Sequence, residues 1–280
     1  MLLKTPKDQY INIGNVKTRY WSVGEKGSAV VLIHGLGASA EIWLRNINSL
    51  AKDHRVFILD LPGFGYSDRP GPDFTPLYYP GFLDNFLTAF NIEKATVIGQ
   101  SLGGGIALLY ALQFQQKVEK LILVDCAGFG KEVIWTLRLM SLPVIGEIIS
   151  RPTRLSVSLF FRIAVRNKAV ISKDFIDTYY QIFNQPGYQD FLLKITRMMV
   201  SLRSCKPEVL ALVMDNLHKI RQPVLIIWGE DDRVFPLKHA YYSKKKMPNS
   251  KLYIMKQCGH IANLEKFEEF NRVAADFLDT

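Results

Sequence analysis

The sequence predicts an α/β protein: a mostly parallel eight-stranded sheet with flanking helices and one inserted helical cap. Three observations lead there. Eight short, β-branched runs bounded by turn residues recur along the chain, helical patterns separate the earlier ones, and a long helical stretch interrupts the alternation before the last two. Strand, helix, strand repetition is the signature of a sheet covered on both faces.

The first two runs, YINIG from Tyr10 and TRYWSV from Thr18, lie close together and form an expected antiparallel edge. AVVLIH from Ala29, RVFILD from Arg55, ATVIG from Ala95 and KLILVD from Lys120 follow. These later runs are continuously apolar rather than alternating, as parallel strands buried on both faces must be. Helical patterns cover 40–51, 78–90 and 102–116. After Asp125 about ninety residues are helical in pattern, punctuated by Pro143, Gly146, Pro152, Pro186 and Gly187. PVLIIWG from Pro223 and KLYIM from Lys251 then restore the strands. The simplest division is a core of 1–128 and 207–280 carrying a cap at 129–206.

With 280 residues, 48% of them hydrophobic, the chain is long enough for one large core. No run reaches the roughly 18 apolar residues that span a bilayer, and the start MLLKTPKDQY lacks an apolar leader segment. The expected compartment is the cytoplasm. Cys126, Cys205 and Cys258 make an odd count with no C-x-x-C spacing, which argues against a disulfide framework and a cysteine zinc site. No metal is expected. The net charge of +9 is unevenly spread: between Lys131 and Lys206 there are twelve Lys and Arg against five Asp and Glu. No nucleic-acid motif accompanies this charge, and Lys244-Lys245-Lys246 reads as a solvated helix face. Nucleic acid is therefore not an expected partner, whereas the basic cap suits peripheral contact with an anionic membrane.

Chemistry enters at Gly99-Gln100-Ser101-Leu102-Gly103, which lies between the strand ATVIG and the helix-favouring run IALLYALQF. G-x-S-x-G in that setting is a nucleophile elbow, a sharp strand-to-helix turn that needs small flanking residues and lifts the serine hydroxyl above the sheet edge. The Leu102 N–H, at the start of the helix, is left free to face developing negative charge. His260 follows the last strand in CGHIANLE, and Asp232 follows PVLIIWG in WGEDDRVFP. Ser, Asp, His is the order expected for such a site. Asp231, one step away, and Asp125, at the end of KLILVD, are the competing acids.

On these residues the chain resembles the α/β-hydrolase family over nearly its whole length. AVVLIHGLGAS looks like the family's glycine-rich loop after its third strand, and LDLPGFGYSDRP like the loop after the next. The resemblance implies that the residue after His-Gly, Leu36, donates a second N–H to an oxyanion. It implies acyl transfer without a cofactor: Ser101 attacks a carbonyl, His260 takes its proton, Asp232 orients the imidazole, and water cleaves the acyl-enzyme. His34 resembles a residue that shapes its loop.

The expected substrate is a carboxylic ester of moderate size, with Trp135, Met140, Val234 and Ile261 as pocket residues and Arg138 or Arg197 as candidates for a substrate carboxylate. The main alternative is hydrolysis of carbon–carbon bonds in ring-cleavage products. Enzymes of that kind use serine and resemble this chain in the final helix EFNRVAADFL, but they carry tryptophan where Ile261 stands. Two further classes are weaker. Gly35-x-Gly37-x-x-Ala40 with Asp60 matches a dinucleotide fingerprint, which would make the protein an NAD-binding oxidoreductase but leaves Ser101, Asp232 and His260 without a role. A non-catalytic binding protein on the same fold leaves them equally unexplained.

Overall fold

The computed structural model describes residues 5–71 and 73–280. All eight expected runs are strands: β1 (Gln9–Ile13), β2 (Val16–Val23), β3 (Ala29–Ile33), β4 (Arg55–Leu59), β5 (Ala95–Gln100), β6 (Val118–Val124), β7 (Val224–Gly229) and β8 (Ser250–Met255). They form one sheet in the order β1-β2-β4-β3-β5-β6-β7-β8. β2 is antiparallel to both β1 and β4, and every other pairing is parallel. The antiparallel edge is therefore where the sequence put it. β3, β5 and β7 are buried at every position, because helices cover both faces of the sheet centre.

The carboxyl ends of β5, β6, β7 and β8 point to the same edge, where the loops gather. Helices Tyr78–Ala89 and Leu102–Gln113 match two of the expected helical stretches. The third, 40–51, breaks into a 3-10 turn, Ala40–Trp43, and a short helix, Ile47–Leu50. The i→i−3 pattern starts at Ile42 N–H to Ser39 and runs through Asn46 N–H to Trp43, and Asn263 Nδ2 donates to the Ile42 carbonyl within it at 3.1 Å. Asn46 Nδ2 returns a bond to the Asn263 carbonyl, tying this segment to the end of the chain.

Between β6 and β7 the chain is helical: Trp135–Met140, Ile145–Ile149, Arg154–Arg162, Lys173–Phe183, Tyr188–Met199 and Pro207–Met214. Most of these carry an apolar stripe; Tyr179, Ile182, Phe183, Phe191 and Ile195 are buried. Near the sheet edge, the buried Arg19 guanidinium bonds Asp8, Glu41 and Asp60 at 2.8, 2.6 and 3.0 Å. Three carboxylates around one buried cation satisfy its planar donors and tie β2 to the residue before β1, the loop after β3 and the end of β4. All three cysteines are buried and free. Among the described residues no helix is long and apolar enough to cross a membrane.

Candidate active site

Ser101 occupies the turn between β5 and the helix Leu102–Gln113 with φ 53 and ψ −117, a conformation costly for a side-chain-bearing residue. The glycines around it answer to close packing. A Cβ on Gly99 would lie 2.3 Å from the Gly103 carbonyl oxygen, and one on Gly103 would lie 2.4 Å from the Ile33 carbonyl oxygen. The turn is held by backbone bonds: Ser101 N–H donates to Val124 at 2.9 Å, while the Ser101 carbonyl accepts from Gly104, Gly105 and Ala127.

His260 Nε2 lies 2.9 Å from Ser101 Oγ, and His260 Nδ1 lies 2.8 Å from Asp232 Oδ2. All three residues are buried. With its proton on Nδ1, the imidazole donates to Asp232 and accepts from the serine hydroxyl, the arrangement that can take a proton from an attacking serine. Asp232 Oδ1 is aimed by the N–H groups of Val234 and Phe235 at 2.7 and 3.0 Å. The two competing acids stand elsewhere. Asp231 pairs with Arg166 at the surface. Asp125 accepts from Gly229 N–H at 2.8 Å and Ala262 N–H at 3.1 Å, joining the loops that carry Asp232 and His260. Burial, reinforced by the nearby Asp232 carboxylate, pushes the Asp125 pKa well above the ordinary carboxylate value.

A second clamp was not foreseen from the sequence. Glu265, buried, accepts from Gly259 N–H and Arg166 N–H on one oxygen, at 3.1 and 3.0 Å, and from Asn167 N–H on the other at 2.9 Å. His260 N–H itself donates to the Ala164 carbonyl at 2.7 Å, and Gln100 Nε2 to the His260 carbonyl at 3.0 Å. The histidine loop is thus fastened to residues 164–167 of the helical segment. Its only signal in the sequence is the place of Glu265 in CGHIANLE, an acid five positions after the histidine.

His34 is fully buried, with Nδ1 2.8 Å from the Gly35 carbonyl and Nε2 accepting from Leu61 N–H at 3.0 Å. Burial lowers its pKa to about 4, so the ring is neutral and shapes the loop that carries Leu36. No acceptor within hydrogen-bond distance meets the N–H of Leu36 or of Leu102 among the described residues. Such N–H groups flanking a serine can receive an oxyanion. Asp60, required for the dinucleotide reading, is fully buried and already accepts from Ala40 N–H, Tyr66 N–H and Arg19. It has no face to offer a ribose.

Above Ser101 lies a cavity of about 810 Å³. Trp135, Met140, Val234 and Ile261 all line it, with Trp135 largely exposed at its mouth. Four cations line it, Arg151, Arg162, Lys168 and Arg233, and among the described residues no carboxylate does. Arg138 and Arg197, the residues singled out from sequence for a substrate carboxylate, are not in the lining. Arg197 is held by Glu147 at 2.8 Å, and Arg138 Nε donates to the Val133 carbonyl. Arg162 is half-buried, and its Nε has no hydrogen-bond partner in the protein.

Fold and site together define a hydrolase scaffold, and comparison with known proteins agrees. The profile of the alpha/beta hydrolase fold family matches residues 28–145 and 150–267, and the chain belongs to that family and is a hydrolase. It is 32% identical over 270 residues to an uncharacterized protein of Mycobacterium tuberculosis, covering 94% of this chain and 78% of the relative. It is 28% identical over 273 residues to a 2-hydroxy-6-oxononadienedioate/2-hydroxy-6-oxononatrienedioate hydrolase of Comamonas testosteroni, covering 95% and 92%. Among solved structures it is similar to a meta-cleavage product hydrolase of Pseudomonas fluorescens, with a TM-score of 0.84, 26% identity and 97% of each chain covered. These names favour carbon–carbon bond hydrolysis over ester cleavage, reversing the order in which the sequence ranked the two.

Proposed function

We propose that this chain is a serine hydrolase that cleaves a carbon–carbon bond next to a ketone in acidic, largely apolar ring-cleavage products of the 2-hydroxy-6-oxodienoate type. The observation that carries the reading is the cavity over Ser101: mostly apolar walls, four basic side chains and, among the described residues, no carboxylate. A dienoate brings an apolar body and a carboxylate, and the four basic side chains of the lining supply the complementary charge. Ser101 adds to the ketone carbon while His260 takes its proton and Asp232 stabilises the imidazolium. The N–H groups of Leu36 and Leu102 receive the oxyanion. The carbon–carbon bond then breaks, the leaving carbon takes the proton back as the dienol product departs, and water releases the remaining acyl group from Ser101 as a carboxylic acid.

Ester cleavage is the second reading, favoured by Ile261, which lines the cavity directly after His260. The same residues would act, with an alcohol leaving instead of a carbon acid. Both readings are tested by following 2-hydroxy-6-oxo-6-phenylhexa-2,4-dienoate and a series of 4-nitrophenyl esters in parallel, with Ser101→Ala as control. Ser101-dependent loss of the dienoate chromophore, faster in kcat/KM than any ester, is the expected result. Turnover of esters alone would reject the carbon–carbon reading, and a fluorophosphonate probe that fails to label Ser101 in folded protein would reject both.

A further inference from the structure

Exposed large apolar side chains are concentrated on one part of the molecule. Of the eleven among the described residues, seven lie between Trp135 and Leu159. Val144 and Ile148 are 68% exposed, Leu155 70% and Trp135 61%. Scattered exposed leucines are ordinary, whereas a contiguous apolar patch marks a contact surface. Contiguity follows from the cavity: Trp135, Ile148, Leu155 and Leu159 line its mouth while remaining open to water.

Val144 adds an independent observation. It sits at φ 69 and ψ −52, in a γ-turn closed by the Ile145 N–H to the Pro143 carbonyl at 2.8 Å. A β-branched residue there is strained, and its exposure shows that core packing does not offset the strain. The turn holds an apolar side chain out into solvent beside the mouth.

Charge surrounds this apolar centre. Arg151, Lys168 and Arg233 are exposed in the cavity lining, and no carboxylate pairs with them among the described residues. We propose that this mouth docks on an anionic lipid surface, with its apolar side chains in the interface and its basic side chains among the phosphates. An anionic bilayer offers hydrocarbon and negative charge in the matching order. A second copy of the chain, applying the same patch across a two-fold axis, would set cation against cation.

The test is vesicle flotation of the full chain, reading binding without turnover, so that it stands or falls apart from the proposed activity. Phosphatidylglycerol-containing vesicles are compared with pure phosphatidylcholine at low and high salt. Salt-sensitive flotation with the anionic vesicles alone is expected. Leu155→Asp and Val144→Asp each weaken it by about tenfold or more, by replacing an inserted apolar group with a charge. Arg151→Glu, which exchanges one attractive charge for a repulsive one, weakens it by about fivefold or more. Val144 lies outside the cavity lining, and aspartate accepts a positive φ more readily than valine, so that variant keeps its fold. The proposal is overturned if folded wild-type protein does not float, or if both aspartate variants float unchanged. It is equally overturned if the protein is a dimer that Val144→Asp splits, which would make a second copy the occupant.

Discussion

Replacing Glu265 by glutamine perturbs the site while leaving Ser101, His260 and Asp232 untouched. The carboxylate accepts three N–H groups, from Gly259, Arg166 and Asn167, in a buried position. Glutamine has nearly the same shape but one acceptor oxygen. Its better orientation turns that oxygen to Gly259 and Arg166 and sets its amide N–H₂ against the Asn167 N–H. One charge-assisted bond is lost, two weaken, and two donors are left facing each other. A hydrogen bond to a charged group contributes about 1.5–3 kcal/mol, so the expected loss in stability is about 2–4 kcal/mol. The strain falls on the segment that fixes His260 through its own N–H bond to Ala164. A displacement of the imidazole by about 1 Å costs on the order of a hundredfold in rate. The assay is the second-order rate of fluorophosphonate labelling at Ser101, measured well below the unfolding transition, beside urea unfolding. Labelling slowed at least tenfold in folded protein is expected. A variant that loses stability yet labels at the wild-type rate would show that Glu265 holds the fold and not the histidine.

Two further outcomes follow from the same geometry. Gly103→Ala puts a Cβ 2.4 Å from the Ile33 carbonyl oxygen and 2.6 Å from that of His34, both backbone atoms that cannot turn aside. It should cost about 3 kcal/mol, read from the urea midpoint, and an unchanged midpoint would refute the packing explanation of the elbow. Burial lowers the His34 pKa from 6.5 to about 4, so the folded state prefers the neutral ring. Its contribution is full above pH 6.5 and is lost as pH falls through about 4, amounting at most to about 3 kcal/mol. Urea unfolding of His34→Gln across that window should show a shallower acid decline than wild type, and parallel curves would refute it.

The strands were readable because a parallel sheet covered on both faces demands unbroken apolar runs such as AVVLI and VLIIWG, which few other structures require. The nucleophile elbow was readable because its glycines answer to local packing within a few residues. What the sequence hid depends on partners far along the chain. The segment expected as one helix at 40–51 is a 3-10 turn and a short helix, with its Ile42 carbonyl accepting from the Asn263 side chain 221 residues away. Arg197 reads as an available cation until Glu147, 50 residues earlier, is seen to hold it. Asp232 was legible from its place after PVLIIWG in the order Ser, Asp, His, and it lies 2.8 Å from His260 Nδ1, whereas Asp125 and Asp231 bond to other groups.

The elbow at Ser101 is stabilised through its main chain, with its N–H bonded to Val124 and its carbonyl receiving three donors. None of those bonds involves the hydroxyl. The frame is therefore indifferent to which short side chain it carries, and a cysteine or an aspartate could occupy the same position without asking the backbone to be rebuilt. In evolutionary terms the costly invention is the turn. The reacting atom is a replaceable part, and a lineage that possesses the turn can change its chemistry by a single codon.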